Sequence, residues 1–83
     1  MRDKKIKLLC IISIGENLDR LKFKANKEYI VAINHPHIVY LVGEDGYKMG
    51  FSRREEDMNL PYLWNYFYEE DKELLDSHIE KLY

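Results

Sequence analysis

The sequence predicts a mainly β (α+β) domain: four to five short strands in a small, strongly bent sheet or barrel, followed by a C-terminal α-helix. Three observations carry that expectation. Short apolar runs recur between turn signals at Gly15-Glu16-Asn17, Asn34-His35-Pro36-His37 and Glu44-Asp45-Gly46, a spacing typical of strands. The last fourteen residues switch to a helical period behind an acidic first turn. The chain has only 83 residues. A fold of that size buries roughly 60–65% of its unfolded surface, enough for one domain with a thin core. That domain is expected to span residues 1–83, with the β part at about 6–68 and the helix at about 70–82.

Residues 6–14 read as a buried, isoleucine-rich strand stopped at Gly15. Leu18 to Lys27 reads as a loop with two anchors, Leu21 and Phe23, spaced two apart so that both point inward. Asn26-Lys27 signals a turn before a second strand, Glu28 to Ile33, whose Tyr29, Val31 and Ile33 share a face. Proline in Asn34-His35-Pro36-His37 removes a ladder donor and ends it. Ile38 to Val42 is the third strand, and Glu44-Asp45-Gly46 a tight hairpin turn in which glycine supplies positive φ. Tyr47 to Phe51 is the fourth strand, followed by a charged loop over 52–60.

Five of the eleven aromatics fall within residues 62–68. As a helix this stretch aligns Leu60, Leu63, Trp64 and Phe67; as a strand it aligns Tyr62, Trp64, Tyr66 and Tyr68. The expectation is a helical turn near 61–64 and a closing strand at 65–68. Glu69 to Leu82 then forms the helix, with Leu74, Leu75, Ile79 and Leu82 as its stripe and Lys81 in its last turn.

This order of features resembles small SH3-like barrel proteins common among bacteriophages and prophages of low-GC Gram-positive bacteria. It rests on the first apolar strand, Phe23, the run Asn26-Lys27-Glu28-Tyr29-Ile30-Val31, then Tyr40 to Gly46, Phe51 and the aromatic stretch. The likeness covers about residues 6–68 and implies an SH3-like barrel with a C-terminal helix. It implies no particular functional residues, because members share a fold more than an activity.

Composition narrows the function classes. Cys10 is the single cysteine, inside an apolar run, and reads as an inert buried thiol. That fits a reducing cytoplasm, which would be the host's if the protein is phage-encoded. Lys7 interrupts the run, which is too short for a membrane span and lacks a small-x-small cleavage site. His35 and His37 have no visible further ligands, so neither metal nor cofactor is expected. Glu55-Glu56-Asp57 and Glu69-Glu70-Asp71 lie in polar surroundings, and Ser13, Ser52 and Ser77 lack a nucleophile elbow. An enzyme is not expected.

Charge is strongly polarised. Residues 1–54 carry eleven Lys/Arg against six Asp/Glu, and residues 55–83 two against nine. Protein binding is the expected function, through Tyr62, Tyr66 and Tyr68 supported by Glu55, Glu56 and Asp57. Tyrosines bury much area at small entropic cost, and flanking carboxylates suit a basic partner. With the phage resemblance, the concrete version is a modulator or inhibitor of a host or defence protein, one with a basic or nucleic-acid-binding site. An unpaired sheet edge also leaves homodimer pairing available.

The runner-up is a nucleic-acid-binding barrel, with Lys22, Lys24, Lys27, Lys48, Arg53 and Arg54 around Tyr29, Tyr40 and Tyr47. A net charge of −2 argues against it, since a strongly basic domain is the usual footprint. The two classes separate by salt. A binder neutralising several phosphates loses about 10³-fold in affinity between about 50 and 200 mM salt. The expected result is no oligonucleotide binding at near-physiological salt. Sub-micromolar binding that is abolished by changing Lys22, Lys24 and Lys48 to Glu reverses the order of the two readings.

Overall fold

A computed structural model describes residues 6–15 and 20–79. Among the described residues six strands form two antiparallel sheets. Strands β1 (Lys7–Leu9), β4 (Glu28–Asn34), β5 (Ile38–Val42) and β6 (Lys48–Ser52) make a four-stranded sheet in the order β1-β4-β5-β6. Strands β2 (Ile14–Gly15) and β3 (Leu21–Phe23) pair as a separate hairpin. After the sheets come a short helix α1 (Leu63–Tyr66), a 3₁₀ turn (Glu69–Asp71) and α2 (Lys72–Asp76).

The mainly β class with a short C-terminal helix is as expected, but the strand count and several boundaries differ. The single strand expected over 6–14 is two. After Leu9 the backbone bends: the Cys10 amide donates to Lys27 O at 2.9 Å, and the Cys10 thiol turns back on Ile12 O at 3.2 Å. Ile11 and Ile12 consequently stand exposed at the bend. The expected loop around Leu21 and Phe23 is strand β3. Gly15 explains the closeness of the β2–β3 hairpin, since a Cβ there would sit 2.6 Å from Arg20 O. Phe23 is fully buried, as its anchor role requires, and Leu21 is half-buried.

The β4–β5–β6 meander follows the expected turn chemistry. Asn26 takes φ 70° before β4, a left-handed conformation asparagine tolerates. Gly46, at φ 83°, turns the β5–β6 hairpin, where its amide reaches Gly43 O at 3.0 Å and Asp45 Oδ1 accepts from the Tyr47 amide. A bulge between Val31 and Ile33 changes which residues of β4 face inward. Tyr29 and Val31 are buried as expected, but Ile33 is half-buried and Asn34 takes the inward position.

Asn34 fastens the C-terminal segment. Its Nδ2 donates to Leu75 O at 2.8 Å and to His78 O at 2.9 Å, holding the end of α2 and the residues just after it. Its Oδ1 accepts from Arg53, whose guanidinium also donates to His35 O at 2.9 Å and pairs with Asp76. A long helix over 70–82 is therefore not what forms. Helix α2 stops at Asp76, Leu75 is fully buried, Leu74 is 50% exposed and Ile79 half-buried. Lys81 and Leu82, read as the helix's last turn, lie outside the described residues.

The aromatic stretch is helical two residues later than expected, and a single bridge at Phe67 stands where a closing strand over 65–68 was expected. Tyr62 bridges Ser52 in parallel, Leu63 to Tyr66 is helix, and Phe67 bridges Cys10 antiparallel. The core thus collects Leu8, Phe23, Val39, Leu41, Phe51, Leu63, Phe67 and Leu75, all fully buried.

Three substitutions rank these contacts. Leu75→Asp places a charge in the core and should cost several kcal/mol. Asn34→Leu keeps the volume but removes the donors to Leu75 O and His78 O and one acceptor of Arg53, for about 1–3 kcal/mol. Ile79→Asp, half-exposed, should cost less than either. Thermal melts showing Ile79→Asp as damaging as Leu75→Asp would contradict this packing.

Candidate binding face

The bend after Cys10 and the chain after α1 meet along one line. The Ile11 amide donates to Tyr66 O at 2.8 Å, the Ile12 amide to the same oxygen at 3.4 Å, and the Tyr68 amide to Leu9 O at 2.9 Å. These bonds hold two stretches of backbone together that carry the exposed residues Ile11 (42%), Ile12 (51%) and Tyr68 (40%). Burying branched aliphatic and aromatic groups is favourable at about 25 cal/mol per Å², so these three exposed groups on joined stretches are a candidate contact centre.

The expected tyrosines divide. Tyr68 is exposed, and its hydroxyl bonds Glu70, whose negative charge raises the phenol above its ordinary pKa. Glu69 and Glu70 are exposed beside it. Tyr66 and Tyr62 are half-buried and pack on the core, Tyr66 with its ring 6.4 Å from that of Phe51. These two rings support the face more than they present it. Glu55 and Glu56 are exposed in the turn after β6, while Asp57 is half-buried and accepts from the Asn59 amide at 2.9 Å. Ser52–Tyr62 pairing closes that loop next to Tyr62. No hydrogen bond or ion pair among the described residues joins the three loop acids to the three tyrosines. The carboxylates beside Tyr68 are those of the 3₁₀ turn.

Ile11 and Ile12 are the residues a sequence reading misses. Their apolar run looks like buried strand, whereas the backbone bends at Ile12.

Three of the six cations proposed for nucleic-acid contact are engaged in ion pairs. Lys27 Nζ lies 2.6 Å from Glu44 Oε2, Lys22 Nζ 3.8 Å from Asp45 Oδ2, and Arg53 pairs with Asp76. Tyr29 is a core residue: its hydroxyl donates to Glu44 at 2.6 Å and accepts from the Lys24 amide at 2.7 Å. Burial first, and then the Glu44 carboxylate, push its pKa up to about 12. Burial likewise raises the Cys10 thiol, so no reactive thiolate results. His35 and His37 have ring centroids 6.0 Å apart, the His37 amide donating to His35 Nδ1. Among the described residues no group of three or more His, Cys, Asp or Glu converges to hold a metal, and no helix is long and apolar enough to cross a membrane.

A groove of about 820 Å³ lies on other elements, between the β2–β3 hairpin and the β5–β6 turn, floored by Ile14, Leu21 and Met49. Its carboxylates, Glu44 and Asp45, are held in ion pairs, which leaves neither as a free acid or base. Comparison of the chain with protein-family models, with curated proteins and with solved structures gives no match.

Glu44 makes acid sensitivity testable. Its bond from Lys27, then that from Tyr29, holds its pKa below the ordinary 4.5. A lowered carboxylate stabilises the fold fully above the ordinary carboxylate range, and that contribution is lost as pH falls through the lowered value. Melting temperatures recorded from about pH 6 down to about pH 3 should therefore fall less steeply for Glu44→Gln than for the unaltered chain. Parallel curves would mean that the Lys27–Glu44–Tyr29 bonds do not persist in solution.

Proposed function

We propose that this protein is a small, non-enzymatic SH3-like module that acts by binding another protein, and that the surface of Ile11, Ile12 and Tyr68 is where the partner docks. The observation that carries this reading is the exposure of those three side chains together, fixed by backbone bonds to a rigid core and bordered by Glu69 and Glu70. Such a surface suits a partner with apolar groups ringed by Lys or Arg, whose cations can also meet the Tyr68 ring at ~0.5–2 kcal/mol each. Two features support the SH3-like reading. Short antiparallel strands enclose one core, and the last segment ties the first strand to the sixth through the Cys10–Phe67 and Ser52–Tyr62 pairings.

The resemblance to phage and prophage barrels makes the concrete form of the proposal a modulator or inhibitor of a host protein, a defence protein included. A basic nucleic-acid groove on that protein would complement the acidic border. Engagement of Lys22, Lys27 and Arg53 in ion pairs favours this over direct nucleic-acid binding.

Affinity capture from a Gram-positive host lysate, with quantitative mass spectrometry, tests the face. Tyr68→Ala combined with Ile12→Ser should reduce the captured partner at least about tenfold, as truncation at an interface centre costs roughly 1–3 kcal/mol per anchor, while the melting temperature holds. Tyr66→Ala should instead lower stability, because that ring packs on the core. A partner retained equally by the double variant would place the binding surface elsewhere.

A further inference from the structure

Strands β4 and β5 lie in the interior of the four-stranded sheet. In an antiparallel sheet with one wet face, residues alternate apolar and polar. These two do not alternate. Tyr29, Val31, Val39 and Leu41 are buried in the core, while the residues between them, Ile30, Ile33, Ile38, Tyr40 and Val42, are apolar as well. None of this second set belongs to the core cluster or packs against it. Ile30 is 39% exposed and the others half-buried. Tyr40 extends the surface sideways: its ring lies over Gly50, where a Cβ would stand 3.2 Å from Tyr40 Cε2.

The charges around this face are ordered. Lys7 pairs with Ile30, and Val42 with Lys48. Because Val31 faces Leu41, Ile30 stands beside Val42, and one row crosses the sheet as Lys7–Ile30–Val42–Lys48. Three interstrand steps separate the two lysine positions by about 14 Å. Both lysines are exposed, and neither has an ion-pair partner among the described residues. Glu28 pairs with Leu9 at the start of β4 and is exposed.

We propose that the outer face of β4 and β5 is a second docking surface, and that its occupant is an acidic amphipathic helix of a partner protein. A helix with its side chains is about 10–12 Å across, which fits between Lys7 and Lys48 when it lies along the strands. Its apolar stripe covers Ile30, Ile33, Tyr40 and Val42, and carboxylates on its flanks reach Lys7 on one side and Lys48 on the other. A second copy of this chain, laid face to face, brings two further lysines to the rim instead of acids. A nucleic acid matches the charge but offers no stripe for three isoleucines and a valine. This surface is separate from the Ile11–Tyr68 face, so either can fail without the other.

The probe is a synthetic helical peptide with leucines at i, i+4, i+7 and i+11 flanked by Glu, titrated into isotope-labelled protein and followed by NMR. Its controls are the same peptide with Lys flanks and a scrambled Glu peptide. Saturable shifts centred on Ile30, Ile33, Tyr40 and Val42 are expected, with the Glu-flanked peptide at least about tenfold tighter than the Lys-flanked one. Lys7→Glu with Lys48→Glu, both at exposed positions, should reverse that preference while the melting temperature holds. Ile30→Ser should weaken both peptides. Equal binding of the scrambled peptide, no saturable binding up to about 1 mM, or shifts centred on Ile11 and Tyr68 would each overturn the proposal. So would the same residues shifting on dilution without peptide, which marks a homodimer, or tighter binding of a single-stranded oligonucleotide at the same residues.

Discussion

Three phenylalanine rings hold the molecule together. Phe23 comes from the β2–β3 hairpin, Phe51 from the last strand of the four-stranded sheet, and Phe67 from the segment that follows α1. Their centroids lie 5.3 to 5.7 Å apart, each pair edge to face with interplanar angles of 78° to 82°. Such pairs are worth about 0.5–1.5 kcal/mol each beyond the area they bury. More important is that every pair joins two parts of the fold that share no sheet. Tyr29 adds a fourth edge contact to Phe23 at 4.8 Å and carries the cluster into β4.

The surfaces follow from that constraint. Once Phe67 is drawn inward opposite Cys10, its neighbours Tyr66 and Tyr68 point differently: one leans on Phe51 and the other reaches solvent beside Ile11 and Ile12. The bulge in β4 performs the corresponding task at the other end. By turning Asn34 inward it supplies the donors that hold Leu75 and His78 and the acceptor that orients Arg53. Arg53 in turn pairs with Asp76, so one acid of the C-terminal segment is folded onto the basic part of the chain, while Lys7 and Lys48 flank the outer sheet face.

How much of this was legible in the residues depended on whether the signal was local. The β5–β6 hairpin was plain because Asp45-Gly46 demands one backbone geometry and the flanking runs are short and apolar. Phe23 was recognisable as an anchor, yet the strand around it was not, since Leu21-Lys22-Phe23 takes its ladder from Ile14 and Gly15, which lie earlier in the chain. The bulge that buries Asn34 leaves no sequence mark, so Ile33 looked like the inward residue. The C-terminal helix looked longer than it is because periodicity counts apolar positions and cannot see that Asn34 terminates α2 from another strand. At the candidate face Tyr68 and the acidity were readable. The roles of Ile11 and Ile12 were not, because exposure there depends on a bend imposed by Lys27 and Tyr66 from elsewhere in the chain.

The central claim is that the segment from Tyr62 to Leu75 is part of the core and not an appendage to a finished sheet. Native-state hydrogen exchange tests it most directly, since amides of a cooperative unit exchange only through global opening while those of a loosely docked segment exchange through local opening. The informative amides are Ile11, Tyr68 and Phe67, bonded to Tyr66, Leu9 and Leu63, read against those of the paired residues Val39 and Leu41 in β5. The account predicts that the two groups share one opening free energy and the same denaturant dependence. Ile11 and Tyr68 exchanging through a much smaller opening while β5 stays protected would contradict it.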